Sequence, residues 1–176
     1  MFLPLLLIIA TTLLQGDLLY DFDNDVDLSR WMVVDDVVMG GRSQGALHVN
    51  QEGQGVFSGT VSLENNGGFS SIRHRFDTRS VVSFTKFVLR VKGDGKAYQF
   101  RVKSDRFERH SYVSEFKTSG SWETIEIPMQ DMYPSFRGVR LNIPNYPGLQ
   151  AEEIALLIGN KRPEQFELQI DWIGLR

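Results

Sequence analysis

Alternation of apolar and polar residues is the feature that most limits how this chain folds. The clearest example is AYQFRVK at Ala97–Lys103, where every second residue from Tyr98 is apolar. The same pattern recurs at Phe87–Lys92 and at Phe166–Trp172, where Trp172 is the last apolar member. Successive side chains of a β-strand point to opposite faces, so each run presents one face to a core and one to solvent. The alternation predicts half-buried antiparallel strands.

Three further segments are predicted to be strands. Ser70–Phe76 alternates, and Trp122–Ile127 is rich in β-forming residues until Pro128 stops it. Ile154–Ile158 is a continuous apolar run, which is typical of a strand that is buried on both faces. No segment has the 3.6-residue period of a long helix.

Turn residues separate these runs. Asn65–Gly68 (NNGG) and Lys92–Lys96 (KGDGK) contain residues that tolerate positive φ, and the second predicts a hairpin. We expect one helical turn at Gln130–Met132 and an ordered crossing loop at Tyr133–Gly148. From Leu18 onwards the count is about ten short strands, which predicts an all-β fold, a two-sheet antiparallel β-sandwich of jelly-roll type.

The length of the chain favours one domain preceded by an apolar segment. A chain of 176 residues is well served by a single hydrophobic core. Met1–Leu14 is nearly all apolar but is shorter than the roughly 20 residues that span a bilayer, so no transmembrane span is predicted. We therefore divide the chain into residues 1–16, a candidate signal peptide, and residues 17–176, the sandwich domain.

The apolar segment leaves the compartment open. Cleavage near Gln15-Gly16 would make the protein exported or periplasmic. An uncleaved extension packed on the domain, or an anchor in a membrane interface, would leave it intracellular. No Lys or Arg precedes Arg30, so the Arg-rich pattern of a mitochondrial presequence is not seen.

Charge and cysteine content exclude several classes of function. The chain has 19 basic and 22 acidic residues and a net charge of −3, so no overall positive field attracts nucleic acid. Nucleic acid is therefore not an expected partner. Cysteine is absent, which removes disulfide bonds, thiolate metal sites and a cysteine nucleophile.

Residues that commonly carry catalysis are sparse. His48, His74 and His110 fall in predicted strands and lack the spacing of metal ligands. The chain has no nucleophile elbow, P-loop or dinucleotide fingerprint. Asp35 and Asp36 are adjacent and so point to opposite faces of a strand, which does not suit the paired carboxylates of a glycosidase. We predict no enzyme activity and no cofactor.

The acidic segment Tyr20–Asp27 resembles a calcium-binding loop only superficially. Counted from its second residue, the sixth and twelfth positions hold Val26 and Met32, where an EF-hand requires Gly and Glu. A solvated segment between a strand and a turn is the preferred interpretation, and no metal site is predicted. If a sandwich-type structural calcium is bound, Asp23 and Asp25 are the expected ligands.

Two glycine-containing segments carry a resemblance to a known family. They are Trp31–Ser43 (WMVVDDVVMGGRS), whose double-glycine turn permits unusual dihedrals and close backbone approach, and Gly59–Ser71 (GTVSLENNGGFSS). They resemble the complex I intermediate-associated protein 30 family, in which a Trp, an acidic residue, a double Gly and a Ser open the domain and an NNGGF-type segment follows. Further stretches agree in order and spacing: Gly93–Val102, Trp122–Pro128, Phe136–Gly138 and Ile158–Lys161. The resemblance covers Leu19 to Arg176.

The resemblance implies a β-sandwich similar to galactose-binding domains, in agreement with the strand pattern. The best-known family members are chaperone-like factors that help to assemble respiratory NADH:ubiquinone oxidoreductase (complex I). It therefore implies a protein partner, no catalytic residue and no cofactor. The alternative is an exported carbohydrate-binding module, because sandwiches of this shape bind sugars through aromatic stacking and planar polar side chains.

The same side chains are candidate contacts under both hypotheses. They are Asp35, Asp36, Gly40, Gly41, Arg42, Ser43, Asn65, Asn66, Arg73, Arg75, Arg101 and Arg137. Each also has a structural interpretation, because glycine and asparagine form turns, strand arginines form solvated faces and an aspartate caps a loop. Trp31, Trp122 and Trp172 are expected to pack in the core, and exposure of two of them would favour sugar binding.

Overall fold

The computed structural model describes residues 16–24 and 26–176, and this part of the chain is all-β, as predicted. The strands, in chain order, are β1 (Asp17–Asp21), β2 (Trp31–Asp35), β3 (Gln44–Val49), β4 (Gly55–Val61), β5 (Ser70–Ser80), β6 (Lys86–Lys92), β7 (Ala97–Lys103), β8 (Ser111–Lys117), β9 (Trp122–Pro128), β10 (Tyr133–Phe136), β11 (Val139–Arg140), β12 (Gln150–Ile158) and β13 (Glu164–Leu175). The helical segments of the described residues are short 3₁₀ turns at Leu28–Arg30, Asp36–Met39, Glu64–Asn66 and Met129–Asp131.

The strands form two antiparallel sheets. The six-stranded sheet has the order β3-β4-β13-β6-β9, and β1 also pairs with β13. Strand β4 lies beside Glu164–Ile170 of β13, whereas β1 lies beside its last residues, Trp172–Leu175. The seven-stranded sheet has the order β11-β10-β8-β7-β12-β5-β2. This is the two-sheet sandwich that the sequence predicts.

The core lies between the sheets and is built from the alternating rows. Phe87 and Leu89 of β6 and Phe100 of β7 are all fully buried. The rings of Phe87 and Phe100 meet across the two sheets with centroids 5.1 Å apart. Full burial of one such side chain contributes about 1.5–3 kcal/mol, so these rows hold the two sheets together.

Two local expectations are corrected by the register. A bulge between Ile170 and Trp172 shifts β13, so Ile173 continues the buried row and Trp172 points outward. A β-bulge adds one residue and reverses the alternation beyond it, which the apolar pattern alone does not reveal. The stretch Tyr133–Gly148 begins with the paired strands β10 and β11 and is a loop only after them. The helical turn lies at Met129–Asp131, one residue earlier than predicted.

The hairpin predicted at Lys92–Lys96 is wrong, because this segment crosses from one sheet to the other. Strand β6 belongs to the six-stranded sheet and β7 to the seven-stranded sheet. Gly95 has a φ of 82° and its N–H donates to Thr118 Oγ1 at 3.0 Å. Turn chemistry permits both a hairpin and a crossing, and burial of the apolar rows of β6 and β7 on opposite sides of the core selects the crossing.

His74 is the buried titratable group of the core-facing row of β5. It is 5% exposed and stacks on Trp31 with ring centroids 4.9 Å apart. Burial lowers the pKa of His74 to about 4, although a hydrogen bond with the Arg30 backbone opposes the shift. The folded protein therefore holds this imidazole neutral at pH values where an unfolded chain protonates it.

This difference predicts a loss of stability in mild acid. The unfolded state takes up a proton near pH 6.5 and the folded state only near pH 4, so stability falls as the pH drops between these values. From pH 6.5 to pH 5 the loss attributable to His74 is about 2 kcal/mol. Urea unfolding of His74→Phe should show a smaller pH slope than wild type. A His48→Phe control, at an exposed position of β3, should keep the slope, and an unchanged slope in His74→Phe would contradict the account.

Candidate functional site

The loop candidates from the sequence gather around one buried carboxylate. Asp36, at the start of the 3₁₀ turn after β2, is 1% exposed and has no cation within 4 Å among the described residues. It accepts hydrogen bonds from Ser43 N–H at 2.9 Å, Gly68 N–H at 2.6 Å and Phe69 N–H at 3.3 Å, and a further one from Ser43 Oγ. We call these four residues the Asp36 cluster. It ties the loop after β2 to the loop before β5.

These hydrogen bonds set the charge state of the cluster. Burial raises the pKa of a carboxyl group, but the bonds from Ser43 and from the Gly68 and Phe69 N–H groups outweigh it and lower the pKa of Asp36. Ser43 Oγ also accepts from Ser62 N–H at 2.9 Å. The carboxylate therefore accepts hydrogen bonds from backbone N–H groups of both loops. These contacts favour a structural role.

The remaining loop candidates form turns or surface contacts. Gly40 has a φ of 89°, and Asn65 and Asn66 have φ values of 55° and 59°, so all three adopt the left-handed conformation that their types tolerate. Arg42 pairs with Glu64 across the two loops at 3.0 Å, but both side chains are exposed and such a pair contributes little. Asp35 accepts from Gly45 N–H at 3.0 Å and from Ser70 Oγ at 2.6 Å.

The strand candidates meet on the outward face of the seven-stranded sheet. Register places Arg73 of β5 and Arg101 of β7 on either side of Ala155 of β12. The next outward row holds Arg75, Glu153 and Lys103 in the same order. We call these the Ala155 row and the Glu153 row, and together the cationic face. Four basic side chains thus lie on β5 and β7, on either side of β12.

The two rows differ in how their charges are neutralised. In the Glu153 row, the carboxylate is 3% exposed and bonds Arg75 Nε at 2.8 Å. In the Ala155 row, no described residue places a carboxylate within 4 Å of Arg73 or Arg101. Among the described residues, Arg101 bonds only the side-chain oxygen of Gln99, at 3.0 Å from Nε and 2.6 Å from Nη2.

The pKa shifts of the cationic face follow from this crowding. Burial, and then the charge of Arg73, lower the pKa of Arg101 to about 10, against the opposing charge of Glu115, which bonds Gln99 at 3.2 Å. Burial also lowers the pKa of Lys103, and Arg73 and Arg75 add to this against the opposing charge of Glu153. These cations are partly desolvated and close to like charges, so an incoming anion would stabilise their charged forms.

Aromatic and basic residues continue this face towards the sheet edge. Tyr133 of β10 lies opposite Val113 of β8, which in turn lies opposite Arg101. The guanidinium of Arg140 lies 4.9 Å from the Tyr133 ring centroid. Arg137, a sequence candidate, lies in the turn between β10 and β11 with a φ of 49°, and its guanidinium covers Phe136 at 5.3 Å. Arg137 is thus separate from the cationic face.

The tryptophans divide between the core and the surface. Trp31 is 8% exposed and belongs to the core, as predicted. Trp122 and Trp172 are only partly buried and lie outside the core, on the outward face of the six-stranded sheet, so the expectation of core packing is wrong for both. The guanidinium of Arg90 lies 5.9 Å from the Trp122 ring centroid.

The described residues lack both a metal-ligand cluster and a membrane-spanning helix. Within residues 16–24 and 26–176, no three His, Asp or Glu side chains cluster as a metal ion requires. Of the two residues named for calcium, Asp23 is exposed and Asp25 lies outside the described residues. His48 and His74 lie in strands as predicted, but His110 precedes β8. In that same part of the chain, no helix has the length and apolar character to cross a membrane.

The arginines of the cationic face are recognisable in the sequence, but the residues that surround them are not. Lys103 follows Arg101 by two residues in the polar row of an alternating strand, so the sequence held a signal for it. Glu153 and Ala155 gave no signal, because strand order and register decide which residues stand between the basic side chains.

Comparison with known proteins identifies the family. Residues 20–170 match the family model described as Complex I intermediate-associated protein 30 (CIA30). The chain belongs to the CIA30 family. A mouse protein named complex I intermediate-associated protein 30, mitochondrial, is 23% identical over 92% of this chain and 56% of its own length. A Caenorhabditis elegans protein named as a probable mitochondrial member is 24% identical over 89% of this chain and 53% of its own length. The chain thus spans about half the length of these CIA30 relatives.

Solved structures agree with the fold. The family 11 carbohydrate-binding module of Clostridium thermocellum, in complex with a mixed-linked tetrasaccharide, has a TM-score of 0.64 at 18% identity, covering 91% of this chain and 94% of the module. An agarase matches with a TM-score of 0.59 at 11% identity, over 92% of this chain and 24% of the agarase. At this identity the likeness establishes for this CIA30 chain a jelly-roll fold similar to galactose-binding domains, and nothing about ligands.

Proposed function

We propose that this protein is a non-catalytic binding module that acts as a chaperone-like assembly factor for NADH:ubiquinone oxidoreductase, and that the cationic face contacts its protein partner. The CIA30 match over residues 20–170 supports the class of function. The observation that carries the choice of surface is the Ala155 row, where Arg73 and Arg101 lack a carboxylate within 4 Å among the described residues. Two crowded, partly exposed cations favour a partner that supplies negative charge.

Binding is favoured over catalysis by the state of the polar groups. The buried carboxylate of Asp36 is saturated by loop donors, and Glu153 is engaged by Arg75. His74 is enclosed by aromatic rings and held neutral. These three buried groups are therefore engaged in structural contacts and are not available as a general acid or base.

Two outward-facing tryptophans favour carbohydrate binding as a second candidate function. Trp122 and Trp172 both point outward from the six-stranded sheet, and partly exposed tryptophans are suited to stack on sugar rings. This surface lies on the opposite side of the sandwich from the cationic face. The two functions therefore predict different contact residues and are separable by substitution.

Affinity purification tests the proposed function. The full chain, tagged at its C-terminus, is expected to enrich subunits of NADH:ubiquinone oxidoreductase from its native cells. Recovery of none of them, together with specific binding of the wild type to a glycan array that Trp122→Ala abolishes, would replace the proposal with the carbohydrate-binding function.

Intact-mass measurement and N-terminal sequencing of the recovered protein test the compartment. Both relatives carry the word mitochondrial in their names, whereas the segment 1–16 raises the hypothesis of export. An assembly factor must share a compartment with its target. A mature chain that begins near Asp17 and is found outside the cell or in the periplasm would contradict the assembly function.

A further inference from the structure

The two rows of the cationic face differ by one residue at their centre. Each row places two basic residues, on β5 and β7, around a central residue of β12. In the Glu153 row the central residue is a carboxylate bonded to Arg75 at 2.8 Å. In the Ala155 row the same position holds a methyl group. The Ala155 row therefore has the flanking charges of a salt-bridged row without its anion.

We propose that a carboxylate from an acidic, extended segment of the partner protein lies over Ala155 and binds Arg73 and Arg101. The inference rests on the proposed function in one respect, which is that the partner is a protein. Gln99 occupies two N–H groups of Arg101, and the remaining N–H groups of its planar guanidinium are left for an acceptor. Arginine binds carboxylates through paired N–H donors, so both guanidiniums suit this ligand.

The spacing of the rows favours an extended peptide with alternating acidic residues. Arg101 and Lys103 stand two residues apart on β7, which corresponds to about 6.6 Å along a strand. Side chains on one side of an extended peptide repeat at the same distance. A peptide lying along β12 can thus place one carboxylate over Ala155 and the next beside Lys103, which also has no carboxylate within 4 Å among the described residues.

Charge distribution favours a protein segment over a nucleic acid. The chain as a whole carries a net charge of −3, so a long phosphate polymer meets repulsion outside this face. Arg42, Arg79, Arg106, Arg162 and Arg176 are each paired with a carboxylate within 4 Å. Other basic side chains, such as Arg90 and Arg137, also lack such a carboxylate among the described residues, but they lie away from this face, where Arg73, Arg101 and Lys103 flank one strand. This compact group of cations matches a short acidic segment.

A nuclear magnetic resonance titration tests the inference. The probe is an eight-residue peptide of alternating Glu and Thr, and the matched control is the same peptide with Gln in place of Glu. The Glu peptide is expected to shift the Arg101 Nε–H signal and the amides around Ala155 saturably, more weakly at higher salt, whereas the Gln peptide is not. Equal responses to the two peptides, or shifts mapped to another face, would overturn the inference. A uridine oligonucleotide that shifts these signals when the Glu peptide does not would overturn it in favour of nucleic acid.

Two substitutions sharpen the test. Ala155→Glu supplies an internal carboxylate, as the neighbouring row already has, and Arg101→Gln removes a cation. Each is expected to weaken binding of the Glu peptide at least about tenfold. Arg162→Gln removes an exposed guanidinium, and its partner Glu164 keeps the hydrogen bond from Asn160, so this variant is the matched control and should bind as wild type does. Unweakened binding by a folded Ala155→Glu protein would overturn the inference. If that variant does not fold, the signal shifts of the wild-type protein with the Glu and Gln peptides decide whether the inference holds.

The result of the peptide titration is independent of the result of the affinity purification. Peptide binding at the Ala155 row without recovery of oxidoreductase subunits would keep the carboxylate site and remove the assembly function. Recovery of the subunits without peptide binding would keep the function and remove the proposed ligand chemistry.

Discussion

Replacement of Asp36 by alanine is expected to lower the free energy of unfolding by about 4 kcal/mol. The substitution leaves three backbone N–H groups and the Ser43 hydroxyl without their buried acceptor. Each unsatisfied buried donor costs about 1–3 kcal/mol, and water entering the loops recovers part of this. Asp36→Asn keeps the shape but presents an NH₂ donor to other donors, so we expect it to be destabilising as well.

Thermal and urea unfolding measure this effect. In a domain of this size, 4 kcal/mol corresponds to a Tm about 10 °C lower. Asp77→Ala, at an exposed position of β5, is the control and should change stability by less than about 0.5 kcal/mol. The lowered pKa of Asp36 adds a pH signature, because its contribution is full above the pKa of the unfolded chain and is lost as the pH falls through the folded value. A stable Asp36→Ala protein would show that the two loops do not depend on this carboxylate.

Gly41→Val is expected to destabilise the domain by about 3 kcal/mol, because the space beside Gly41 is occupied by Asp36. A Cβ atom at this position would lie 2.3 Å from Asp36 Oδ1 and 2.4 Å from its Cγ. The Asp36 cluster fixes that carboxylate, so the clash is not relieved by a simple rotation. The two glycines of this turn are therefore required for different reasons. Gly40 provides the positive φ, and Gly41 provides the close approach.

A double-mutant cycle separates these causes. In the Asp36→Ala background the obstructing carboxylate is gone, so much of the cost of Gly41→Val should disappear, with a coupling of about 1 kcal/mol or more. Gly40→Ala is the matched control, since an added Cβ there meets nothing within 4 Å and only the φ of 89° is strained. Its cost of about 1 kcal/mol should be the same in both backgrounds. Additive effects of Gly41→Val and Asp36→Ala would refute the packing explanation.

The sandwich fold was predictable because the alternation that specifies each strand is visible within a short segment of sequence. Alternation along Ala97–Lys103 reports which face is buried whatever the neighbouring strands are, and the structure confirms that strand with the same bounds. The crossing at Lys92–Lys96 and the bulge before Trp172 were not predictable in this way. Both depend on which sheet a strand joins and on one inserted residue, and neither changes the residue types that a short window contains.

The candidate site was predictable only in part, because it combines residues from distant parts of the chain. Arg73, Arg75 and Arg101 are visible in the sequence as polar members of alternating strands. The contrast between Glu153 and Ala155 at the centre of their rows comes from β12, which lies about 50 residues or more further along the chain. Likewise, Asp36 was a candidate contact, but two of its hydrogen-bond donors, Gly68 and Phe69, belong to another loop. The sequence around Asp36 does not show that they lie beside it.

The measurement that tests the central claim most directly is quantitative affinity purification with three forms of the full chain. The forms are wild type, a cationic-face variant with Arg73→Gln and Arg101→Gln, and a control with Arg42→Gln and Arg162→Gln, which removes the same charge from two exposed arginines. We predict that wild type and the control enrich NADH:ubiquinone oxidoreductase subunits and that a folded cationic-face variant does not. Equal enrichment by all three forms would show that the partner binds elsewhere and would contradict the account.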